Sequence, residues 1–558
     1  MKDRLQRLPG QIVDLHARTC YAGRVEWRDG CIVRLVRDDA VRESRLILPG
    51  FVDAHIHIES SLLPPSEFAR LAVAHGTVAT ISDPHEIANV LGERGVDYMI
   101  RDGARTPLKF HFGAPSCVPA TTFESAGAAL DARAVARLLK RRDVHYLAEV
   151  MNFPGVLAGD PALREMIATA KKLGKPIDGH APGLRGEQAR AYAKAGPSTD
   201  HECFTLEEAQ DKLAAGMKVL IREGSAARNF AALAPLLKTH ADRVMLCCDD
   251  LHPDLLVQHH LDAHVRRALA SGADRFDVLR AASVNPVEHY KMNVGLLRAG
   301  DPADFIVVDG WKNFRVQRTY IDGTLVAANG RSRLKRLRTK TPNQFRARPR
   351  VAADFAVRPT GGAKLNVIEA LNGQLITRHL REVPTVRERA FVSDPKRDLL
   401  KIAVVNRYAN PPKLRNTEFG GVRVAVGFIR GFGLKAGALA SSVAHDSHNI
   451  VAVGADDEAL ARAVNLVIKN RGGLSVVDRA GRGRVLPLPI AGLMSNRDGR
   501  WVAQRYTELD RAAKKLGSKL DAPFMTLSFM ALLVIPDLKL SDRGLFSATQ
   551  WGFVPLNQ

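Results

Sequence analysis

Between residues 49 and 294 the chain alternates short apolar runs with longer stretches of helical period. The runs are 51–56, 78–81, 108–112, 144–150, 175–178, 197–200, 218–221 and 244–247. Most are continuously apolar rather than alternating, the pattern of strands buried on both faces. The sixth, 197–200, is weak as a strand by composition. Segments such as 161–172 and 187–195 repeat at helical period, and the first has Asp160 placed to cap and Pro161 at the first helical position. Eight strand–helix units predict an α/β fold, a TIM-like (β/α)8 barrel whose site lies where its strands end.

The flanks read differently. Residues 23–27 and 31–35 are strand-like and joined by an Asp29-Gly30 hairpin turn. β-rich sequence returns at 303–309 and 324–326. We therefore expect one small β domain from residues 1–48 plus 295–345, bracketing a barrel over 49–294. A mixed α/β C-terminal domain is expected over 350–558, with helical patterning at 456–469. No internal repeat is evident.

Composition narrows the class. A chain of 558 residues with 46% hydrophobic and 25% charged residues is that of a globular protein of several domains. No apolar run reaches the ~18 residues of a membrane span, and no apolar signal core follows Met1. Six cysteines without a Cys-x-x-Cys pair fit a reduced, cytoplasmic setting. The net charge of +22 raises the question of a nucleic-acid partner. Its densest source, 331–350, holds nine basic residues, no acid and one aromatic, Phe345. It lacks the stacking platform of a single-strand binder and reads as a solvated linker. Neither nucleic acid nor membrane is an expected partner; a homodimer or tetramer is.

The chemistry gathers at the strand ends. The first strand ends in His55 and His57, two positions apart and so on one side. The fourth runs into Glu149, the fifth ends in His180, the sixth in His201 and the eighth in Asp249-Asp250. Four imidazoles and two carboxylates at one barrel mouth would suit two divalent ions, with Glu149 between them. Metal binding brings the pKa of water from 15.7 to about 7, and Asp249 could accept the proton of an attacking water. This predicts a metal-dependent hydrolase. After the second strand, His85-Glu86 begins like His-Glu-x-x-His, but position 89 is Asn, which argues against a protease. His85 or Glu86 could instead orient a substrate nitrogen or exchange protons with it. Glu223 and Ser225, ending the seventh strand, are candidates for polar substrate contacts. The segment 441–449, with His445, Asp446 and His448, reads as a polar turn, a second metal site or a wall over the barrel mouth.

Several segments together resemble the adenine deaminases of the amidohydrolase superfamily, in their bacterial form. They are PGFVDAHIHIESS (49–61), DPHEIANVLG (83–92), EVMNFPG (149–155), DGHAPGL (178–184), DHE (200–202), REGS (222–225), SSVAHDSHNI (441–450), LPLPIAGLMS (486–495) and PFMTLSF (523–529). The resemblance implies hydrolysis of adenine to hypoxanthine and ammonia in purine salvage, at a binuclear site of manganese or iron. It implies metal positions at His55, His57, Glu149, His180, His201 and Asp249. It also implies proton movements at Asp249 and Glu86, and a purine base held by His85, Glu223, Ser225 and Asp250. Asp249 and Asp250 could exchange roles. Cys248 stands where the family suggests threonine and Leu533 where it suggests proline. These departures leave open a paralogue acting on an N6-substituted adenine or another aminopurine.

Overall fold

A computed structural model describes residues 4–225, 227–359, 362–408 and 424–558. In chain order, β1 (Gln6–Asp14), β2 (Thr19–Arg28), β3 (Cys31–Arg37) and β4 (Leu46–Pro49) precede the eight strands that surround the site. Those are β5 (Phe51–Ile56), β6 (Thr77–Ser82), β7 (Lys109–Ala114) and β8 (Tyr146–Val150), then β9 (Ile177–Gly179), β10 (Thr199–Asp200), β11 (Lys218–Arg222) and β12 (Val244–Cys247).

Strands β5 to β9 form one parallel sheet and β10 to β12 a second. Backbone hydrogen bonds join the two at both seams. Ser198 N donates to Ile177 O (2.8 Å); across the other seam Asp249 N donates to His55 O (2.9 Å) and His57 N to Asp249 O (3.2 Å). The eight strands thus curl into one barrel. Strand β5 is buried along its whole length; each of Phe51, Val52 and Ile56 contributes about 1.5–3 kcal/mol by leaving water. The sixth strand is only two residues long, because Pro197 cannot donate to a ladder. Helix Pro161–Lys172 starts where Asp160 accepts from Ala162 N and Leu163 N.

The two flanking β segments pair. β13 (Phe305–Val308), β14 (Val316–Ile321), β15 (Thr324–Ala328) and β16 (Arg331–Ser332) join β1 to β4 in an eight-stranded sheet of order β16-β15-β14-β13-β4-β1-β2-β3. Asp29 and Gly30 both take left-handed backbone (φ 50° and 82°), the two-residue turn whose twist matches its strands.

Beyond residue 350 a mixed eight-stranded sheet runs in the order Thr377–Glu382, Leu365–Ala370, Val424–Arg430, Leu400–Val405, Ile450–Gly454, Ala438–Ser441, Gly473–Val477, Gly483–Pro487. Helix Asp457–Lys469, capped by Asp456, packs on it. The basic run is not the free linker expected from its charge. It is tacked down as a strap: Arg336 donates to Asn496 O (2.7 Å), Asn343 to Arg471 O (2.6 Å) and Pro489 O (3.1 Å), and Arg346 N to Arg407 O (2.7 Å). One arginine side chain, one asparagine side chain and a backbone amide do this fastening, which composition alone does not reveal. Among the described residues no helix is long and apolar enough to cross a membrane.

Candidate metal centre and active site

Because β-strand side chains alternate, His55 and His57 leave the end of β5 on the same side. Their Nε2 atoms lie 3.2 Å apart. Asp249, just past β12, has left-handed backbone (φ 59°), a conformation an aspartate tolerates better than most residues. Its Oδ1 is 3.1 Å from His57 Nε2 and 3.5 Å from His55 Nε2. Glu149, in β8, stands between two groups of imidazoles. Its Oε1 is 3.4 Å from His57 Nε2, and its Oε2 is 2.7 Å from His180 Nδ1 and 3.2 Å from His201 Nε2. All six residues expected as ligands therefore meet at one point of the barrel mouth.

The cluster sets carboxylates against imidazoles. Burial works to raise the carboxyls of Glu149 and Asp249. For Glu149 it is outweighed by the neighbouring His180, His201 and His57, and for Asp249 by Arg222, His55 and His57; both are held well below the usual carboxylate range. Arg222, the last residue of β11, is fully buried and touches both Asp249 Oδ2 (2.5 Å) and Glu202. One guanidinium serves two carboxylates there, and Glu149 has only imidazoles. Two Nε2 atoms at 3.2 Å cannot both point an N–H at each other. Asp83 Oδ2 and His85 Nδ1 lie 3.2 Å apart, yet neither makes a hydrogen bond. Converging nitrogen and oxygen donors with such gaps in their hydrogen bonding fit divalent cations. Among the described residues the donor groups able to hold an ion include His55, His57, Asp249; His55, Glu149, His201; His180, His201, Glu202; and His57, Asp83, His85, Glu149.

Above this cluster is a cavity lined from the barrel by Glu86, Met151 and Asp250 and from the C-terminal region by Leu375, His445, Asp446, Phe529, Leu532 and Ile535. The sequence model of the amidohydrolase family matches residues 46–326, and that of the adenine deaminase C-terminal domain matches 374–551. Three relatives are similar over almost their whole lengths. The adenine deaminase of Salinibacter ruber is 56% identical over 98% of each chain. That of Sulfurovum sp. is 54% identical over 97% of this chain and 98% of its own. That of Methanosarcina acetivorans is 51% identical over 99% of each. The chain belongs to the adenine deaminase family of amidohydrolases. The likeness extends to archaeal members, so the bacterial form is not singled out.

In this family member the C-terminal region closes the barrel mouth. Of the three readings open for 441–449, the wall is the one observed. His445 Nδ1 and His448 Nε2 hold the two oxygens of Glu86, and the Phe529 ring stacks on His445 at 4.6 Å. Glu86 is thereby fixed, its carboxyl drawn well below the usual range by His445, His448 and His85 against the opposing effect of burial. His85, expected against the substrate, lines the cavity and also lies among the metal-type donors: its Nδ1 is 3.4 Å from Glu149 Oε1. Asp250 lines the cavity and accepts from Ser60 Oγ; burial, then the charge of Asp249, pushes its carboxyl up.

Two expected substrate contacts stand elsewhere. The Glu223 carboxylate pairs with Arg267 (2.5 Å), and Ser225 Oγ accepts from His252 N (2.8 Å). Neither lines the cavity. With Arg222 turned inward at the end of β11, the next side chain points out. Asp83, Glu202 and Arg222 were not singled out from sequence, although each lies inside a segment quoted for the resemblance.

Proposed function

We propose that this chain hydrolyses adenine to hypoxanthine and ammonia. The carrying observation is the full-length likeness to adenine deaminases at 50% identity and above. A donor cluster beneath a cavity walled by the C-terminal region supports it. In this reading His55, His57 and Asp249 would hold one divalent ion and His180 and His201 a second, with Glu149 available to both. All-nitrogen and oxygen donors favour manganese or iron over a thiolate-bound metal. Ions bound there supply Lewis acidity and bring the pKa of a water molecule to about 7.

The chain's own residues do the rest. Asp249 accepts the proton of the water that attacks C6 of the purine, its other oxygen being occupied by Arg222. Glu86 passes a proton from His445 to the ring nitrogen; Asp249 gives the water's first proton to the leaving amine, and the second returns through Glu86 to His445 as C6–OH becomes C6=O. Asp250 holds the ring edge, and Leu375, Phe529, Leu532 and Ile535 cover its faces and exclude water.

The alternative, a paralogue for N6-substituted adenine, rested on Cys248 and Leu533. Both are buried and neither lines the cavity; Cys248 N donates instead to Asp53 Oδ1 (3.0 Å). Neither departure touches the substrate.

The test is ammonia release from adenine by protein produced with manganese while iron is chelated. Rapid release from adenine and none from adenosine is expected. No release from folded, metal-loaded protein would overturn the reading and turn attention to N6-substituted purines. A second measurement concerns the proton path. Glu86→Gln is expected to lower kcat by roughly 10²–10⁴-fold with metal content intact; unchanged turnover would make Glu86 structural.

A further inference from the structure

Lys539 lies in the strand Leu538–Ser541, well outside the donor cluster, and is wholly buried. Among the described residues its ammonium has no carboxylate partner. It donates to two carbonyls, Leu375 O (2.7 Å) and Phe529 O (3.1 Å). Leu375 and Phe529 belong to segments far apart in sequence, and both line the cavity. Phe529 is also the last residue of helix Pro523–Phe529, where unsatisfied carbonyls attract a cation. The same Phe529 ring lies on His445, which in turn holds Glu86.

We infer that Lys539 is a positioning residue for this site: it ties the two apolar walls of the cavity together through their main-chain carbonyls and so sets the width of the slot that receives the ring. The alternative is that Lys539 only helps the C-terminal region to fold. Its energetics argue otherwise. A buried ammonium without a counter-charge is costly, and an apolar side chain of the same length would fill the space more cheaply. Consistent with that cost, burial alone pushes its pKa down to about 7. What an apolar side chain cannot do is donate to both carbonyls at once. Leu540 N, bonded to Met530 O (3.0 Å), and Thr377 N, bonded to Pro536 O (3.0 Å), hold the neighbouring backbone in register. The lysine supplies the only side-chain tie, among the described residues, between the Leu375 and Phe529 carbonyls. Loss of the tie lets the walls part and leaves the donor cluster below intact.

This inference rests on the adenine-deaminating reading of the site. The experiment compares wild type, Lys539→Met, Lys539→Gln and Lys539→Arg, all metal-loaded, by steady-state kinetics on adenine, metal content and thermal melting. Lys539→Met is expected to fold, to keep the wild-type metal content and to raise KM at least tenfold, with a smaller fall in kcat. Lys539→Arg, which keeps a cation at both carbonyls, is expected to recover most of the KM. A folded Lys539→Met with KM and kcat within twofold of wild type would overturn the inference, as would a lowered melting temperature with unchanged kinetics. Should Lys539→Met not fold, Lys539→Gln decides: it can satisfy one carbonyl, so an intermediate KM is expected and a wild-type KM overturns the inference. A wild type inactive on adenine would instead overturn the activity itself, so the two failures are distinguishable.

Discussion

Glu149→Gln is expected to abolish adenine turnover, a loss on the order of 10⁴-fold or more in kcat, and to lower the metal content from the proposed two ions per chain to one or none. The substitution changes little in volume. It removes the one carboxylate whose two oxygens face different imidazoles, Oε1 toward His57 and Oε2 toward His180 and His201. An amide has one acceptor oxygen and carries no charge, so it can serve one side of the cluster at most. Its NH2 would face imidazole nitrogens on the other. Metal analysis of the purified variant and ammonia release from adenine read the two effects separately. A variant that keeps both ions and its turnover would remove Glu149 from the centre.

Arg222→Met has the second large effect, on stability. Arg222 is fully buried between Glu202 and Asp249, and its Nε donates to Ala227 O (2.8 Å). Removing one partner from a buried ion cluster leaves uncompensated charge, which costs about 3–5 kcal/mol. Methionine fills the stem of the side chain, so the cost is electrostatic and not that of a cavity. Urea unfolding of the metal-loaded protein should show a midpoint lowered accordingly. A change within about 1 kcal/mol would mean that the bound ions alone neutralise Glu202 and Asp249. Arginine here also occupies Asp249 Oδ2, which leaves Oδ1 facing His57 and His55.

Much of the barrel was legible because its strands are buried on both faces. Phe51–Ile56 and Val244–Cys247 stand out as apolar runs and are observed with those bounds. The run at 197–200 shrinks to Thr199–Asp200, since its first residue is a proline. The donor set was legible for a topological reason: once a chain alternates strand and helix, every strand end arrives at one mouth. What failed was direction at single-residue resolution. Choosing Glu223 over Arg222 missed the inward side chain by one position, and in a strand one position reverses the face. Asp83 and Glu202 act through neighbours that sequence does not reveal. The wall was visible only as a density of His, Asp and Ser over 441–449; that it meets Glu86, 359 residues earlier, is a fact of tertiary structure.

The seam between β5 and β12 is more than a place where a sheet closes. The hydrogen bonds that shut it run through His55, His57 and Asp249, so the last contact of the barrel and three of the proposed metal ligands are the same residues. During synthesis the two histidines leave the ribosome long before Asp249, and the lid histidines later still. A chain halted before residue 249 holds imidazoles but no closed ring, and one halted before residue 445 has an open mouth over its donors. Once complete, any cation gripping both edges of the seam acts as a clasp on the ring, and binding energy becomes resistance to unrolling.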